Sequence, residues 1–326
     1  MTFTFPTSGK LLAPAKINLH LKVTALLPDG RHQLDTSFAF IDTYDVLHIK
    51  LTEHDISVEC SIKALSNEKN LVFQIVKALK EQHHVQQGMH ISIEKNIPSE
   101  AGLGGGSSDA ASALLAANEI WGLHLSTQQL IDFSTPFGAD IPCFLFGQAS
   151  LAKGVGEQLE VYPDAMPNHY ICLAKPPQGL STKKVFQYFD LHKNIYNHMI
   201  LKDINNTTTS KNQLTTLPNI ETSLTQKKSA DTMRAASQGN IPVGENELQG
   251  SAIALLPEIS SLLDTMQQHA DMAWMSGSGS SCIALCSSLD QAKKLAKLLQ
   301  EKRLASWVHA GSLLHRHPSF AKNIGA

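Results

Sequence analysis

An alternating pattern of apolar and polar residues marks the first predicted strand. From Ile17 to Val23 every second residue is apolar, which is the two-residue period of a half-buried strand. Lys16 and Asn18 therefore share the polar face of this strand. Pro14 lacks the N–H that a strand ladder needs, so we expect it at the start of the strand or on a sheet edge.

A second alternation runs from Met89 to Ile93, where apolar and polar residues again take turns. The tripeptide at 96–98, Asn-Ile-Pro, breaks this pattern and leads into a turn dense in glycine. From Ala110 to Trp121, apolar residues recur at steps of four, three and four, the spacing of one helix face. The sequence therefore predicts a strand, a glycine turn and a helix in succession.

The C-terminal half adds two helix predictions and one polar segment. Glu247 to His269 and Asp290 to Arg303 carry apolar residues at helical spacing. Between 203 and 240, Asn, Thr, Ser, Gln and Lys dominate, and the few apolar residues lack a period. This composition predicts a mobile polar insertion.

The predicted strands and helices mix without regular βαβα alternation, which favours an α+β fold over a doubly wound parallel sheet. A length of 326 residues suits about two domains of roughly 150 residues each. Two prolines and several polar residues separate the apolar halves between Tyr162 and Asn168. We therefore expect one domain at 1–163 and a second at 164–326 that contains the insertion.

Composition and charge narrow the class of protein. Hydrophobic residues make up 42% of the chain and charged residues 17%, and no apolar run reaches the roughly 18 residues of a membrane span. A formal charge of −2 gives no positive surplus for nucleic acid. The five cysteines include no C-x-x-C pair, and Met1 to Lys10 lacks the pattern of a secretion signal. We expect a cytoplasmic protein with reduced, buried thiols and no nucleic-acid or membrane partner.

The segment richest in chemical information is the turn from Pro98 to Asp109, Pro-Ser-Glu-Ala-Gly-Leu-Gly-Gly-Gly-Ser-Ser-Asp. Its glycines permit positive φ and a close approach to a ligand, while the following helix offers free N–H groups and the positive end of its dipole. The hydroxyls of Ser107 and Ser108 can bind phosphate oxygens or Mg²⁺. The segment predicts a phosphate site; the alternative is a tight turn with a serine N-cap and no ligand.

Two common phosphate motifs do not fit this turn. No Gly-Lys-Ser/Thr follows it, and Ser107 stands where a dinucleotide fingerprint needs its third glycine. A second glycine turn, Ser276–Cys282, is a weak indication by itself because Gly/Ser clusters are ordinary loops. Together the two turns predict loops that close around one polyanion.

Lys16 and Asp140 are the candidate catalytic residues. Transfer of a phosphoryl group to an alcohol needs a base for the hydroxyl proton and fixed positive charge near the nucleophile. Asp140, in the turn from Phe137 to Pro142, and Lys16, on the first strand, have the chemistry for these roles. Spacing in the sequence does not show that they meet, and an aspartate in such a turn is commonly a solvated residue.

Three motifs, taken in order, carry a resemblance to a known family. Pro14–Leu19 (Pro-Ala-Lys-Ile-Asn-Leu), the Pro98–Asp109 turn and the Ser276–Cys282 turn resemble the three motifs of the GHMP small-molecule kinases. Further matches at Gly138–Pro142 and Lys153–Glu157 (Lys-Gly-Val-Gly-Glu) make the resemblance specific. It covers nearly everything outside 190–245.

The resemblance implies a reaction and a set of binding residues. The reaction is ATP-dependent phosphorylation of the 2-hydroxyl of a CDP-linked methylerythritol, in the non-mevalonate route to isoprenoid precursors, with ATP and Mg²⁺ as cofactors. Asp140 would be the base, Lys16 would steady it and the alkoxide, and Asn18 would lie beside the substrate. The nucleotide-binding residues would be Asn70 and Lys95 near the adenine, and Pro98, Gly102, Leu103, Gly104, Gly105, Gly106, Ser107, Ser108, Gly277 and Gly279 around the phosphates. Ser108 is the candidate Mg²⁺ ligand.

Cytosine recognition is also implied by the resemblance. His32 would hydrogen-bond the base and Phe186 would stack on it, with Thr182 nearby. Arg31 stands where the family usually has an aromatic residue, and its planar guanidinium can also stack on a base. Glu100 places a carboxylate beside the phosphate turn, which requires it to point outward or to meet a cation.

The resemblance implies a two-part fold, an N-terminal domain of the ribosomal-protein S5 type and a ferredoxin-like C-terminal domain. The alternative functions are a GHMP kinase with homoserine, mevalonate or a sugar as acceptor, and a nucleotide- or RNA-binding module without turnover. A monomer and a homodimer remain open. His83-His84 and His315-x-His317 lack neighbouring Cys, Asp or Glu at ligand spacing, so we expect surface histidines and no zinc site.

Overall fold

The structure is a computed structural model that describes residues 8–163, 169–193 and 242–318. The insertion expected at 203–240 lies outside the described residues, as does most of the domain boundary expected between Tyr162 and Asn168.

Strands and helices alternate irregularly along the described residues. The strands are β1 (Ser8–Leu26), β2 (His32–Thr52), β3 (Ile56–Cys60), β4 (Gly88–Glu94), β5 (Ser150–Lys153), β6 (Gln158–Val161), β7 (Tyr170–Lys175), β8 (Glu245–Asn246), β9 (Met272–Met275), β10 (Cys282–Cys286) and β11 (Trp307–Leu314). The helices are α1 (Leu71–Gln82), α2 (Gly105–Ile120), α3 (Thr127–Ser134), α4 (Ile141–Phe146), α5 (182–193), α6 (Gln249–Leu255), α7 (Glu258–His269) and α8 (Leu289–Glu301).

The two longest strands, β1 and β2, pair antiparallel and position much of the site. Three register shifts interrupt β1, the first directly after Pro14. Successive stretches of β1 accordingly pack into three different apolar cores, Leu11 into the first, Ile17 into the second and Leu21 into the third. The predicted strand is confirmed, but the half-buried interpretation is wrong, because the strand is buried on both faces near Lys16.

Pro14 occupies one of the two expected positions. It lies inside β1 at the register shift rather than at the strand's start, on a stretch where β1 pairs with β2 alone among the described strands and is therefore a sheet edge, as predicted. A bulge is the other place where a strand tolerates a residue without an N–H.

The N-terminal and C-terminal parts of the chain share one sheet. Strands β7, β9, β10 and β11 form an antiparallel group, and β11 continues it to β2 by pairing Leu313 and Leu314 with Ile41 and Phe40. Helices α1–α4 cover the N-terminal strands, while α6–α8 cover the C-terminal group. Almost all neighbouring strands run antiparallel, β3–β4 and β1–β8 being the parallel pairs of the described residues. This arrangement confirms the predicted α+β class.

The helix predictions hold in two cases and need correction in one. Helices α2 and α8 lie where the apolar periodicity placed them, although α2 begins at Gly105, before the periodic residues start. The single helix expected from Glu247 to His269 is two helices, α6 and α7. Leu256 is not helical, with φ of −143° and ψ of 85°, because proline disfavours the helical conformation in the residue before it. Pro257 is the N-cap of the second helix.

Three smaller observations complete the fold. All five cysteines are free thiols, and Cys143, Cys172, Cys282 and Cys286 are buried. Among the described residues, no helix has the length and apolar character needed to cross a bilayer.

His317 is completely buried and packs edge-on against Phe40, so the expectation of a surface histidine there is wrong. Burial lowers the pKa of His317 to about 3.

Candidate active site

The first glycine turn leads directly into the N-terminus of α2. Gly104 occupies the N-cap position in the left-handed conformation, with φ of 69°, and provides no side-chain cap. A Cβ on Gly104 would lie 3.0 Å from the ring of Phe144 and 3.1 Å from Cγ of Lys16, so glycine is required there. Around Gly106 there is open space instead. The uncapped N–H groups of the first helical turn are therefore available to an anion.

The two glycine turns contact each other, as the sequence predicts. Ser276 Oγ donates a hydrogen bond to the carbonyl of Gly102 at 3.1 Å, and the N–H of Ser281 donates to the carbonyl of Ala101 at 3.1 Å. A Cβ on Gly102 would lie 2.3 Å from the Ser276 carbonyl oxygen. Such close backbone contact is the physical reason for glycine at this position.

Lys16 and Asp140 meet between these turns. Lys16 Nζ lies 3.5 Å from Asp140 Oδ2, and the two side chains are 3% and 39% exposed. Asn18 Oδ1 accepts a hydrogen bond from Lys16 Nζ at 2.6 Å, while Asn18 Nδ2 donates to Thr36 Oγ1 at 2.8 Å. The Phe38 ring lies 5.3 Å from the ammonium. The buried ammonium of Lys16 and the partly exposed carboxylate of Asp140 therefore lie next to each other at the cavity wall.

A cavity of about 590 Å³ collects most of the predicted site residues. Two apolar groups line it, one with Cys60, Leu65 and Leu71, the other with Leu34 and Phe186. The predicted residues that line it are Lys16, Asn18, Asn70, Lys95, Pro98, Gly102, Leu103, Gly104, Gly105, Gly106, Ser107, Asp140, Thr182, Phe186 and Gly277. Those that do not line it are Arg31, His32, Ser108 and Gly279. The cavity therefore unites a charged centre with two apolar subsites.

Asn70 and Lys95 line the cavity, but their polar groups already have partners. Asn70 Oδ1 caps α1 by accepting from the N–H of Val72 at 2.9 Å, and Asn70 Nδ2 donates to the carbonyl of Leu65 at 2.8 Å. Asn70 is therefore the N-cap that begins α1. Its adjoining apolar residues offer a face to a flat ring.

The ammonium of Lys95 is held between two carboxylates. It lies 2.6 Å from Asp109 Oδ2 and also contacts Asp45 Oδ2, and the three side chains are at most 7% exposed. Asp45 Oδ1 accepts from the N–H groups of Asn96 and Ile97 at 2.6 and 2.8 Å. Burial lowers the pKa of Lys95, but the two carboxylates outweigh it and hold that pKa above its usual value. The triad fixes the chain just before the phosphate turn.

Three of the predicted base-binding residues, His32, Thr182 and Phe186, lie near one another, and Thr182 and Phe186 line the cavity. The rings of His32 and Phe186 stack with centroids 4.4 Å apart, and Thr182 Oγ1 contacts Ser278 Oγ at 2.8 Å. At this separation no base fits between the two rings, since a sandwiched ring needs roughly twice the stacking distance. Arg31 donates to Asp29 Oδ2 at 2.7 Å through both Nε and Nη2, and its side chain is solvent-exposed.

The serine assigned as a metal ligand is corrected by the structure. Ser108 Oγ is completely buried and has no hydrogen-bond partner within the described residues, whereas Ser107 lines the cavity. The first helical turn directs Ser108 into the protein because the backbone rotates by about 100° per residue. Ser107 is therefore the hydroxyl that a ligand in the cavity can reach.

Glu100 is exposed to solvent and is one of the residues that line the cavity. It lies against Gly179, where a Cβ would meet Glu100 Oε2 at 2.6 Å. Burial lowers the pKa of Lys175, and the Glu100 carboxylate raises it in opposition. Of the two alternatives that the sequence left open, Glu100 meets the second, because Lys175 is a cation close enough to interact with it.

Several residues of the site were not predicted from the sequence. Asp45 and Asp109 hold Lys95, Thr36 orients Asn18, and Ser278 holds Thr182. Asp45 directly precedes the apolar residues Val46 and Leu47, and a carboxylate beside apolar residues was a weak signal for a buried ion pair. Thr36 and Ser278 had no such signal, because their role depends on contacts between distant parts of the chain.

Comparisons with known proteins agree with this geometry. The family model described as GHMP kinases N terminal domain matches residues 70–148, and the one described as GHMP kinases C terminal matches residues 223–303. A relative from Desulfitobacterium hafniense (strain Y51), named 4-diphosphocytidyl-2-C-methyl-D-erythritol kinase, is 33% identical over 92% of this chain and 94% of its own. One of the same name from Variovorax paradoxus (strain S110) is 36% identical over 88% and 90%.

A solved structure supports the same conclusion. The crystal structure of a 4-(cytidine 5'-diphospho)-2C-methyl-D-erythritol kinase superposes with a TM-score of 0.70 and 29% identity, over 94% of this chain and 99% of that one. The expected GHMP kinase fold is confirmed by this likeness and by the two family models. From its similarity to these relatives along nearly its whole length, the chain belongs to the 4-diphosphocytidyl-2-C-methyl-D-erythritol kinase family of the GHMP kinases and is an ATP-dependent phosphotransferase.

Proposed function

We propose that this protein transfers the γ-phosphoryl group of ATP to the 2-hydroxyl of 4-diphosphocytidyl-2-C-methyl-D-erythritol, a step of the non-mevalonate isoprenoid route. The observation that carries the proposal is the meeting of Lys16 and Asp140 in the cavity between two glycine turns. The relatives named for this reaction match 88–92% of the chain, which favours the same acceptor.

Asp140 acts as the general base in this reaction. Its exposed carboxylate accepts the proton of the acceptor hydroxyl while the hydroxyl oxygen forms a bond to the γ-phosphorus. The bond between that phosphorus and the bridging oxygen breaks, and ADP leaves with the bonding electrons. Lys16 Nζ, 3.5 Å from the carboxylate, stabilises the negative charge that develops on the acceptor oxygen.

The phosphates of ATP fit the N-terminus of α2. Gly104 leaves this terminus without a side-chain cap, and the open space at Gly106 gives room for phosphate oxygens. The apolar side chains beside Asn70 offer a face for the adenine. Gly277 approaches from the second turn, where a Cβ would lie 3.4 Å from Lys16 Nζ.

Mg²⁺ is the expected counterion of the phosphates. Ser107 is one cavity residue that fits it, because Mg²⁺ prefers oxygen ligands and commonly takes few of them from protein. When bound, the ion neutralises charge on the β- and γ-phosphates. Five free thiols and a formal charge of −2 favour a small-molecule enzyme of the cytoplasm without a nucleic-acid partner.

An ADP-release assay tests the proposal. The purified protein is given ATP, Mg²⁺ and, in separate reactions, the CDP-linked alcohol, homoserine, mevalonate and galactose. We expect ADP release with the CDP-linked alcohol and not with the others. Faster release with one of the other acceptors, or none with any, would overturn the assignment.

Substitution of Asp140 tests the role of the base. Asp140→Asn should lower kcat by about 10²- to 10⁴-fold, the range of a positioned general base, and leave ATP affinity within a few-fold. Asp132→Asn, which removes an exposed carboxylate on α3, is the matched control and should leave kcat unchanged. Unaltered turnover in Asp140→Asn would remove Asp140 from the mechanism.

A further inference from the structure

The side chain of His32 has a partner that the predicted base subsite does not include. His32 Nε2 lies 2.8 Å from Asp190 Oδ1, and the imidazole is only 10% exposed. A carboxylate accepts hydrogen bonds and does not donate them, so the proton of a neutral imidazole is held on Nε2. Among the described residues, Nδ1 of His32 has no hydrogen-bond partner, and it is left as an acceptor.

One face of α5 fixes both the plane and the tautomer of this ring. Thr182, Phe186 and Asp190 follow one another at steps of four residues, the spacing of a single helix face. Thr182 contacts Ser278 of the second glycine turn at 2.8 Å, Phe186 stacks on His32 at 4.4 Å, and Asp190 binds Nε2. The face therefore connects the second glycine turn to the imidazole.

An imidazole that is fixed as an acceptor distinguishes the two common pyrimidines. Cytosine carries an amino group, a donor, at the ring position where uracil carries a carbonyl oxygen, an acceptor. A donor pairs with Nδ1, whereas a carbonyl oxygen would leave two acceptors facing each other. One such unsatisfied buried pair reduces binding by about tenfold or more.

We propose that Asp190 is a positioning residue that holds His32 in the Nε2–H tautomer and thereby makes the base subsite select an amino-bearing pyrimidine over a carbonyl-bearing one. The inference rests on the proposed function, since it concerns the base of the proposed substrate. It adds to that function the residue that sets base specificity and the reason for it.

The main experiment compares kcat/KM for the CDP-linked alcohol and its UDP-linked analogue. The wild type should prefer the cytidine form by at least about 10²-fold. Asp190→Asn should narrow this preference about tenfold or more, because an amide can also donate to Nε2 and release the tautomer. The KM for ATP should stay within about twofold. A general loss of structure would instead change both the cytidine preference and the KM for ATP. An unchanged cytidine preference in Asp190→Asn would overturn the inference.

A second His–Asp pair provides the matched control. His20 Nε2 lies 3.3 Å from Asp35 Oδ1, and His20 Nδ1 is already paired with Ser37 Oγ at 2.9 Å, so this imidazole has no ring nitrogen left for a base. Asp35→Asn should leave the cytidine preference unchanged. Loss of the preference in both variants would show a general electrostatic effect and overturn the specific role of Asp190.

A tautomer measurement separates this inference from the proposed function. Long-range ¹H–¹⁵N spectra of the unliganded protein at about pH 8, with the His32→Ala variant for assignment, show which ring nitrogen of His32 is protonated. The Nε2–H neutral form is expected in the wild type and a mixture in Asp190→Asn. The Nδ1–H form or an imidazolium would overturn the inference, even if the CDP-linked alcohol is the substrate.

Binding of CMP and UMP, measured by calorimetry, gives a result that does not depend on turnover. Tighter binding of CMP that is lost in Asp190→Asn supports the inference even if the proposed acceptor is wrong. Equal binding of CMP and UMP to the wild type would overturn it.

Discussion

Two lysines line the same cavity in opposite electrostatic settings. Lys95 is enclosed by the buried carboxylates of Asp45 and Asp109, so its charge is more than balanced by the protein itself. Lys16 is equally buried, but its neighbours are the neutral amide of Asn18 and, at 3.5 Å, the half-exposed Asp140. Lys95 is paired with two buried carboxylates, whereas Lys16 has only one among the described residues, more distant and partly exposed.

This difference in charge balance predicts a structural role for Lys95 and a catalytic role for Lys16. A buried ion pair with full hydrogen bonding contributes to the integrity of the fold and has little left to offer a ligand. A buried charge with weak compensation lowers stability but attracts the negative charge that forms during a reaction. We therefore expect Lys95 to act in the first way and Lys16 in the second.

The largest expected effect is that of Lys16→Met on catalysis. Because Met removes the charge and keeps much of the length, kcat for the CDP-linked alcohol should fall by about 10³-fold. The free energy of unfolding, measured with urea, should change by less than about 1 kcal/mol, since the lost charge was poorly compensated. Severe destabilisation with normal kcat would reverse the contrast between the two lysines.

Lys95→Met should lower the stability of the fold strongly. It leaves two buried carboxylates facing each other, and the free energy of unfolding should fall by about 3–5 kcal/mol. Asp109→Asn is the matched variant: it keeps the size of the side chain and a one-to-one ion pair, so its cost should be less than half as large. Urea titrations of both variants measure these values. Equal losses would show that the excess carboxylate is not what makes Lys95 necessary.

The burial of His317 should make the free energy of unfolding depend on pH. Burial lowers the pKa of His317 to about 3 in the folded protein, whereas an unfolded histidine has a pKa near 6.5. Below pH 6.5 the unfolded chain takes up a proton that the folded chain does not. This contribution to stability is therefore complete above about pH 6.5 and is lost as the pH falls towards 3.

Between pH 7 and pH 5 the wild type should lose about 2 kcal/mol more unfolding free energy than His317→Gln, which cannot titrate in this range. Urea titrations at the two pH values give the difference. Parallel losses in the two proteins would contradict the lowered pKa.

The smallest effect is expected from substitution of the solvent-exposed Arg31. Arg31 pairs with Asp29 outside the cavity, and exposed pairs contribute little. Arg31→Tyr should change the KM for the CDP-linked alcohol by a few-fold and more than the KM for ATP, with no change in stability. Equal changes in both KM values would exclude stacking of residue 31 on the base.

The sequence predicted those parts of the fold that depend on local pattern. The alternation around Ile17 and the helical spacing around Ala110 indicated β1 and α2. The burial of both faces of β1 was not predictable, because it depends on register shifts and on a C-terminal half that covers the strand. The break before Pro257 had a local signal that the long apolar spacing obscured.

For the site, the residue types were predictable and their partners were not. Glycine turns that hold phosphate need particular backbone conformations, so Gly102 and Gly104 were visible in the sequence. The pairing of Lys95 with Asp45 and Asp109, and of His32 with Asp190, joins residues 14 to 158 positions apart. No local pattern specifies such a pair, since its energy exists only after the elements have packed.

The hydrogen bond between Ser276 and Gly102 spans 174 positions of the chain. During synthesis on the ribosome, the first glycine turn emerges long before the segment that braces it, so a nascent chain has no complete nucleotide pocket until its last quarter has left the exit tunnel. A nucleotide bound in this cavity would touch both halves at once and would stabilise their union rather than either half alone. Binding of ATP at this position would then require that both the N-terminal and the C-terminal parts of the chain have folded.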